Sequence, residues 1–395
     1  MPEAFIVDGV RTVFGKAGGA LAAVRPDDLA ATVMAELLQR NPGLAPDAVE
    51  DVYWGATNQS GDDSRNVARI AAVLAGLPFG IGGCTVNRLC GSGLEAVVVA
   101  ARGVKSGELD VCIAGGSESM SRAPFILPRA ESAYQRSQPV FDSRLGWRGV
   151  NPRWAAAYGA RTLVECAEII ADQYGVSRAE QDEYAVASHR LATLAWDSGR
   201  LSAETLAVRT PDGTMVERDE TIRCGASVEG LARLAPVVGP AGSVTAGNAS
   251  PMNDGAAGLV IVSEEAVERW NLRPKARIVR GVSVGVHPDG LDGPVPATRR
   301  LLDKCGWDVA TLDQVELTEA FAAQAVACVR ELKLEPAQVN PGGGAIAIGH
   351  PLGASGARLM ITLANGLQRK GPGRRGVATM CIGVGQGIAV AVESC

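Results

Sequence analysis

Two hydrophobic periods alternate along the first 116 residues. β-branched runs such as AFIVDGV (4–10), VEDVYWGA (49–56) and ELDVCIAGG (108–116) predict strands, as does GCTVNRL (83–89). PDDLAATVMAELLQR (26–40) instead has apolar residues at helical spacing, and a second helix is predicted at 64–78 with Ser64 as its cap. This alternation predicts an α/β fold, built from βαβ units around a mostly parallel sheet.

A third helix follows Cys90, and its run from Leu94 to Ala101 is apolar on every side. Such a helix is expected to be enclosed by protein. Cys90 lies where a strand gives way to this helix, so backbone amides and the positive helix end would favour its thiolate. Gly91 and Gly93 would let another group approach the sulfur. The alternative is a small buried cysteine in a packed turn.

The regular hydrophobic pattern is lost between residues 117 and 243. Segments such as SRAPFILPRAES and FDSRLGWRGVNPRW are irregular there and rich in arginine and proline. Ser177 and Glu180 form a capping box ahead of QDEYAVASHRLATLAW, which predicts a surface helix. We interpret 117–243 as an inserted loop domain that covers a site.

The remaining chain repeats the order of its first part. ARIVRGV (276–282) matches AFIVDGV, DQVELTEAF (313–321) matches DVYWGATNQ, VNPGGGAIAIGH (339–350) stands where VNRLC stood, and MCIGVG (380–385) where VCIAGG stood. The pairs are separated by roughly 260 to 270 residues, which indicates a duplication. We therefore predict one half from 1–116 with 244–270 and another from 271–395, with the turns at 90, 350 and 381 meeting between them.

Among only three histidines, His350 lies in the duplicate of the cysteine's own turn, ahead of a helix predicted to begin near Ser355. A neutral imidazole beside a thiol can take its proton and create a nucleophile. The alternative is a loop histidine without a catalytic role. His189, on the predicted surface helix, and His287, before a proline, are expected to be solvated.

Cys381 follows a strand and precedes the glycine-rich GVGQG. A second thiol near the first would move protons to and from carbon or sulfur, although an isolated cysteine there would more often be a core residue. The run GGGAIA also matches a loose dinucleotide fingerprint, but it lacks the acidic residue about 20 positions further on that this fingerprint requires.

Composition narrows the class of protein. Hydrophobic residues make up 47% but aromatics only 4%, with 48 glycines, so alanine and valine must fill a finely packed core. A net charge of −5 without a basic block argues against a nucleic-acid partner. No apolar run is long enough to cross a bilayer, which favours a cytoplasmic protein without a membrane partner. Scattered cysteines without a Cys-x-x-Cys pair predict no metal site and no disulfide framework.

VNRLCGSGLEA, TAGNASPMNDGAA, GGGAIAIGHPLGASGAR and CIGVGQG together resemble the thiolases, and the resemblance runs from about Phe5 to Glu393. It implies two βαβαβαββ halves in a layered α/β/α/β/α core with an inserted loop domain. The implied activity is coenzyme A-dependent cleavage or formation of 3-ketoacyl thioesters. Coenzyme A and acyl-CoA would be substrates, with no permanently bound cofactor, and the chain would form homodimers or homotetramers.

The resemblance also implies roles for individual residues. Cys90 would be acylated, His350 would activate it, and Cys381 would protonate the departing acetyl-CoA carbanion. Backbone N–H groups of Cys90 and Gly383 would form one oxyanion hole, and His350 with a water molecule placed by residue 318 the other. Implied coenzyme A contacts are Leu163, Arg223 (stacked on adenine), Ala246, Ser250, Ala320 and Phe321.

Two departures from the family pattern concern the site. Thr318 replaces the asparagine of the usual Asn-Glu-Ala-Phe, and we hypothesise that its oxyanion hole survives in weakened or shifted form. GLDGP (290–294) stands where a Met-Gly-x-Gly-Pro pattern is common, which leaves the shape of the acyl pocket open.

RNVARIAAVLAGLP, SESMSRAPF, LGWRGVNP and GVGQG most resemble the thiolase branch that cleaves 3-oxoadipyl-CoA. Its acidic acyl tail would need a cation, and the insertion supplies many arginines. General 3-ketoacyl-CoA or acetoacetyl-CoA thiolysis is the close alternative. A decarboxylating condensing enzyme would have a histidine or asparagine in place of Cys381, and a non-catalytic acyl-CoA-binding subunit would explain Thr318.

Overall fold

The computed structural model describes residues 2–144 and 146–395. Its strands are β1 (Ala4–Thr12), β2 (Gly15–Lys16), β3 (Asp51–Gly55), β4 (Cys84–Val86), β5 (Val111–Ser119), β6 (Phe125–Ile126), β7 (Phe141–Asp142), β8 (Thr205–Leu206), β9 (Val208–Arg209), β10 (Met215–Val216), β11 (Asn253–Ser263), β12 (Ala276–Gly285), β13 (Gln314–Leu317), β14 (Arg375–Ile382) and β15 (Gln386–Ser394). Its helices are α1 (Pro26–Arg40), α2 (Val67–Leu74), α3 (Ser92–Ser106), α4 (Pro152–Tyr158), α5 (Leu163–Tyr174), α6 (Arg178–Asp197), α7 (Val228–Ala232), α8 (Glu264–Arg269), α9 (Pro294–Cys305), α10 (Ala322–Leu332), α11 (Ala345–Ile348) and α12 (Leu352–Lys370). The predicted alternation of strands and helices is confirmed.

The main sheet has a symmetric order, β13-β14-β15-β12-β1-β11-β5-β3-β4. In each half, a strand pairs in parallel with its neighbour, β3 with β5 and β13 with β14, and antiparallel strands follow toward the centre. Val339, which pairs in parallel with Val315, stands where β4 stands in the first half. The halves join where β1 runs antiparallel to β12. Each half therefore follows the order βαβαβαββ, as the repeat and the resemblance implied.

Helices form three layers around these strands. α1 and α2 pack on the outer face of the first half and α9 on that of the second, whereas α3 and α12 pack against each other and against strands of both halves. The middle pair is buried because its side chains are apolar or very small. The backbones come close: a Cβ atom on Gly93 would lie 2.4 Å from the carbonyl oxygen of Gly353. The enclosed α3 helix predicted from the sequence is confirmed.

The insertion leaves the sheet after β5 and returns at β11. It is tied to β1 by Arg11, whose fully buried guanidinium lies 2.8 Å from the Asp219 carboxylate and 3.3 Å from that of Glu204. Such a pair would be costly to break, because the remaining charge would be buried without a partner. The capping box of Ser177 and Glu180 at the start of α6 is confirmed.

Several local predictions were wrong. The sheet is mixed rather than mostly parallel, because the β14–β15 turn spans only 383–385 and such a short connection reverses the chain. Asn66, not Ser64, caps α2, since Ser64 adopts a left-handed conformation with φ of 47°. The helix after His350 begins at Leu352 rather than near Ser355.

Two histidine predictions had opposite outcomes. His287 is exposed, as expected for a loop residue before proline, with 68% of its side chain accessible. His189 is buried, contrary to its predicted solvated position, because α6 packs one face against α10 and α11. Its Nδ1 accepts a hydrogen bond from the backbone N–H of Arg223 at 3.2 Å.

In the described part of the chain, no helix has both the length and the apolar character needed to cross a bilayer.

Candidate active site

Cys90 lies in a tight turn between β4 and α3. Ser92 closes this turn from inside, because its hydroxyl accepts from the Arg88 N–H at 2.9 Å and donates to the Leu89 carbonyl at 2.6 Å. Leu89 adopts a left-handed conformation with φ of 47°, which is uncommon for a residue with a Cβ atom. Strain of this kind persists where surrounding bonds hold it, and here it immediately precedes the candidate nucleophile.

The β14–β15 turn meets the cysteine turn from the other half. A Cβ atom on Gly91 would lie only 2.7 Å from Cδ1 of Ile382, so the two turns approach closely here. The turn contains Val384 at φ of 65°, an outlier for a β-branched residue. Two turns with left-handed residues therefore face each other at the interface predicted from the duplication.

Cys90 is buried, with 7% of the residue exposed. Its sulfur lies near two backbone N–H groups, its own and that of Gly383. Burial raises the pKa of the Cys90 thiol, and these two N–H groups oppose that rise. Backbone amides favour the Cys90 thiolate as expected from the sequence, but desolvation is the larger effect on its pKa. At neutral pH this thiol needs a base.

His350 is the candidate for that base, and its surroundings orient the ring. Its backbone N–H donates to Oδ1 of Asn253 at 2.9 Å, and its Nδ1 lies 2.7 Å from the hydroxyl of Ser355. We assign the hydrogen of that hydroxyl to the Pro351 carbonyl, 3.0 Å away, so that the hydroxyl accepts from Nδ1. The proton thus lies on Nδ1, and the lone pair lies on Nε2, which has no partner among the described residues.

The protonation state of His350 fits the same role. Burial, and secondly the charge of Arg358, lower the pKa of His350 to about 4. The imidazole is therefore neutral near pH 7 and able to accept a proton. Leu352, two residues further on, lines the same cavity as Cys90.

Cys381 ends β14 close to the turn that carries Gly383, and it is 2% exposed. Burial raises the pKa of Cys381 well above its usual value, and the charge of a Cys90 thiolate raises it further. The two sulfurs are thus near enough to influence each other's ionisation. Cys381 holds its proton at neutral pH, as a proton donor should.

A buried carboxylate links the two halves beside the cysteine turn. Glu118, at the end of β5, accepts from the backbone N–H and hydroxyl of Thr57 and from the N–H of Asn58. It also accepts from the N–H of Gly353 at 3.0 Å, at the start of α12. Glu118 therefore holds the helix that follows His350 against the first half of the molecule.

Thr318 lies at the end of β13 and is 1% exposed. Its backbone N–H donates to the Thr379 carbonyl at 3.0 Å, whereas its hydroxyl has no partner among the described residues. Glu319 next to it accepts from Asn340 at 2.8 Å and from Ser188 at 2.7 Å. The backbone at 318 is thus firmly held while its hydroxyl remains available for another group.

A cavity of about 300 Å³ opens at Cys90. The two left-handed turns contribute Leu89, Cys90, Gly383 and Val384 to its wall, and Leu163 and Leu352 complete the apolar part. Arginines and tryptophans of the insertion line most of the rest, together with Thr57, Cys166, Pro288 and Asp289. A concave, largely apolar space with a few polar groups is typical of a small-molecule site.

The other residues implied as coenzyme A contacts form two groups outside the lining of this cavity. Ser250 donates its N–H to the Ala320 carbonyl at 3.0 Å, and Ala249 pairs with Phe321, so this group packs close to Cys381. Ala246 is exposed near it, and Arg223 is exposed beside His189.

Sequence reasoning missed Ser355, Asn253 and Glu118 as supporting residues of the site. For Glu118 and Asn253 a signal existed, since each is a large polar residue near one end of a fully buried strand whose middle is apolar. Ser355 carried no such signal, because its partner is set by how the chain turns between His350 and α12.

The fold is a duplicated α/β fold, and its site holds a buried thiol and a neutral imidazole, the kinds of group that acyl transfer through a cysteine requires. Family comparison agrees: the thiolase N-terminal domain matches residues 4–265 and the thiolase C-terminal domain matches residues 272–394. The chain belongs to the thiolase family and is an acyltransferase, which confirms the resemblance and the fold inferred from the sequence.

Individual relatives cover the whole chain. It is 49% identical over 399 residues to the beta-ketoadipyl-CoA thiolase of Pseudomonas putida, covering 100% of both proteins. It is 49% identical over 401 residues to the 3-oxoadipyl-CoA/3-oxo-5,6-dehydrosuberyl-CoA thiolase of Escherichia coli K12, with the same coverage. The crystal structure of the acetyl-CoA acetyltransferase of Bacillus anthracis matches with a TM-score of 0.92 and 36% identity, over 100% of this chain and 99% of that one.

Proposed function

We propose that this protein cleaves 3-oxoadipyl-CoA with coenzyme A, giving acetyl-CoA and a shortened acyl-CoA that keeps the terminal carboxylate. The observations that carry the chemistry are a protonated, buried Cys90 next to two backbone N–H groups and a neutral imidazole whose Nε2 has no partner among the described residues. The substrate is supported by the names of relatives 48 to 50% identical to the chain.

The first step creates the nucleophile. Nε2 of His350 takes the Cys90 proton, and the thiolate attacks the 3-keto carbon of the substrate. The resulting oxyanion is stabilised by the N–H groups of Cys90 and Gly383. These amides lie in two tight turns whose conformations are fixed in the folded protein. They therefore require no rearrangement as the charge develops.

The second step breaks the bond between carbons 2 and 3. The electron pair leaves with acetyl-CoA, Cys381 donates its proton to the carbanion, and the remaining acyl group stays on Cys90 as a thioester. The protonated Nε2 of His350 and the hydroxyl of Thr318, directly or through water, would stabilise the enolate oxygen. The high pKa of Cys381 suits it as the acid that protonates carbon.

The third step restores the enzyme. The Cys381 thiolate takes the proton of incoming coenzyme A, whose sulfur then attacks the acyl-Cys90 thioester. The Cys90 thiolate leaves and recovers its proton from the His350 imidazolium. Each proton that was moved in the first half of the cycle is thus returned in the second.

The remaining assignments belong to the same proposal. Leu163, Arg223, Ala246, Ser250, Ala320 and Phe321 contact coenzyme A, which is a substrate and not a resident cofactor. Residues 117–243 form a loop domain that covers the site between the halves 1–116 with 244–270 and 271–395. The protein acts as a cytoplasmic homodimer or homotetramer.

Two measurements test the proposal. Intact-protein mass spectrometry after mixing with acetyl-CoA should show one acetyl group on the wild type and none on Cys90→Ser. Absence of the adduct with coenzyme A binding retained would instead identify an acyl-CoA-binding subunit. Cys381→Ala should still be acetylated but should no longer exchange the methyl hydrogens of acetyl-CoA with D2O, whereas Cys112→Ala, a buried cysteine on β5, should exchange normally.

Acetoacetyl-CoA thiolysis is the second candidate function. It is favoured by 42% identity to the acetyl-CoA acetyltransferase of Thiocystis violacea, over 98% of both chains. Comparing kcat/KM for 3-oxoadipyl-CoA and acetoacetyl-CoA separates the two: equal or better efficiency with acetoacetyl-CoA would contradict the proposed substrate.

A further inference from the structure

Three arginines of the insertion line the cavity that opens at Cys90: Arg144, Arg148 and Arg161. Two of them are held by carboxylates. Arg144 binds Asp142 through Nε and Nη2, and Arg161 binds Asp289, which also lines the cavity. These pairs balance two of the three positive charges.

Arg148 differs from its neighbours. Its guanidinium donates to the backbone carbonyl of Ser143, and within the described residues it has no carboxylate partner in salt-bridge range. The charge of Arg148 contributes to lowering the pKa of Asp142, but the Asp142 carboxylate is already bound by Arg144. Three cations facing two carboxylates leave one positive charge at this wall, on Arg148, which has no carboxylate of its own among the described residues.

The wall around Arg148 is built from aromatic side chains. The rings of Trp147 and Trp154 lie 5.6 Å apart, and those of Trp154 and Tyr158 lie 5.0 Å apart. The indole N–H of Trp147 donates to the Arg161 carbonyl at 3.0 Å, which fixes the segment that carries Arg148. Arg148 itself is exposed at this wall, so its guanidinium is open to an incoming anion.

We propose that Arg148 is a specificity-determining residue that binds the terminal carboxylate of a dicarboxylic 3-ketoacyl-CoA in the cavity shared with Cys90. This inference rests on the proposed function and names the group that selects its substrate. A planar guanidinium free of an internal carboxylate can form two parallel hydrogen bonds with a carboxylate of the substrate. Arg144 and Arg161, already neutralised, shape the wall and add little attraction.

A phosphate of coenzyme A offers similar chemistry to the same arginine. The two candidate anions can be distinguished by the choice of substrate. Every acyl-CoA carries the phosphates, whereas only a dicarboxylic acyl-CoA carries the terminal carboxylate. 3-Oxoadipyl-CoA and 3-oxohexanoyl-CoA share a six-carbon acyl chain and differ at its end, so their comparison isolates the carboxylate.

The test uses the variants Arg148→Gln and Arg148→Lys with Arg153→Gln as matched control. Arg153 is an exposed arginine of the same segment that does not line the cavity. Arg148→Gln should lower kcat/KM for 3-oxoadipyl-CoA by about 10- to 100-fold, the range of a charge-assisted hydrogen bond. It should leave kcat/KM for 3-oxohexanoyl-CoA and the KM for coenzyme A unchanged. Arg148→Lys should recover part of the loss, because it keeps the charge without the planar fork.

Other outcomes overturn the inference. Equal losses with both substrates, or a raised KM for coenzyme A, would mean that Arg148 binds a phosphate or supports the loop. An unchanged preference for 3-oxoadipyl-CoA in Arg148→Gln would remove Arg148 from substrate selection while leaving the proposed function intact. If the wild type itself shows no preference for the dicarboxylic substrate, the proposed function fails and this inference fails with it.

Discussion

Nδ1 of His350 lies 2.7 Å from the hydroxyl of Ser355, which occupies this ring nitrogen and leaves Nε2 as the one available to act as a base. The hydroxyl is itself directed by the Pro351 carbonyl, so it accepts from Nδ1–H and leaves the lone pair on Nε2. One serine thereby sets the tautomer and the ring orientation of the proposed base.

Replacing Ser355 with alanine should lower kcat by about 10- to 100-fold, because the imidazole would then also populate the unproductive tautomer. KM should change little. Steady-state kinetics with Thr193→Ala provide the control, since Thr193 makes the same hydrogen bond to the carbonyl four residues before it and touches no site residue. Equal rates in Ser355→Ala and wild type would show that the tautomer is set in another way.

The pH dependence of kcat/KM should reflect the buried state of His350. With its pKa lowered to about 4, the imidazole stays neutral as pH falls through 6.5, the ordinary value, and becomes protonated only near pH 4. The rate should therefore show no histidine-type loss between pH 7 and pH 5. A tenfold decline per pH unit that begins at about pH 6.5 would contradict the assigned state.

Substitutions at Thr318 test whether its hydroxyl donates a hydrogen bond in the second oxyanion hole. Thr318→Val keeps the shape and removes the donor, so kcat should fall by about 100-fold, as for loss of an oxyanion-hole donor. Thr298→Val is the matched control, because its hydroxyl is also buried without a partner among the described residues but lies on α9. Thr318→Asn should alter turnover or chain-length preference, and no change in either would count against a functional role for this position.

Gly353 permits the closest approach of the middle helix layer to the first half. A Cβ atom there would lie 2.3 Å from the carbonyl oxygen of Ser117 and 2.7 Å from that of Gly55, and neither backbone atom can move alone. Gly353→Ala should therefore lower the free energy of unfolding by about 1–3 kcal/mol. Urea denaturation with Gly225→Ala as control, where a Cβ atom meets nothing within 4 Å, checks this. Equal stability of the two variants would mean that the interface can expand.

Much of the fold could be predicted from the sequence, because the positions of its helices and strands depend on local hydrophobic periodicity and on an internal repeat. The helix at 26–40, the enclosed helix after Cys90 and the order of the repeated segments follow from residue patterns alone. The mixed sheet did not follow, because strand direction depends on which strands become neighbours. The burial of His189 did not follow either, since the apolar face of α6 is defined by the helices that cover it.

The same division applies to the site. The sequence alone determined the candidates Cys90, His350 and Cys381, because glycine-rich turns around rare reactive residues leave a local pattern. Only the tertiary structure decided their states: both thiols hold their protons, the imidazole is neutral, and Ser355 selects its basic nitrogen. Ionisation depends on desolvation and on neighbours distant in the chain, and these quantities exist only once the two halves have packed together.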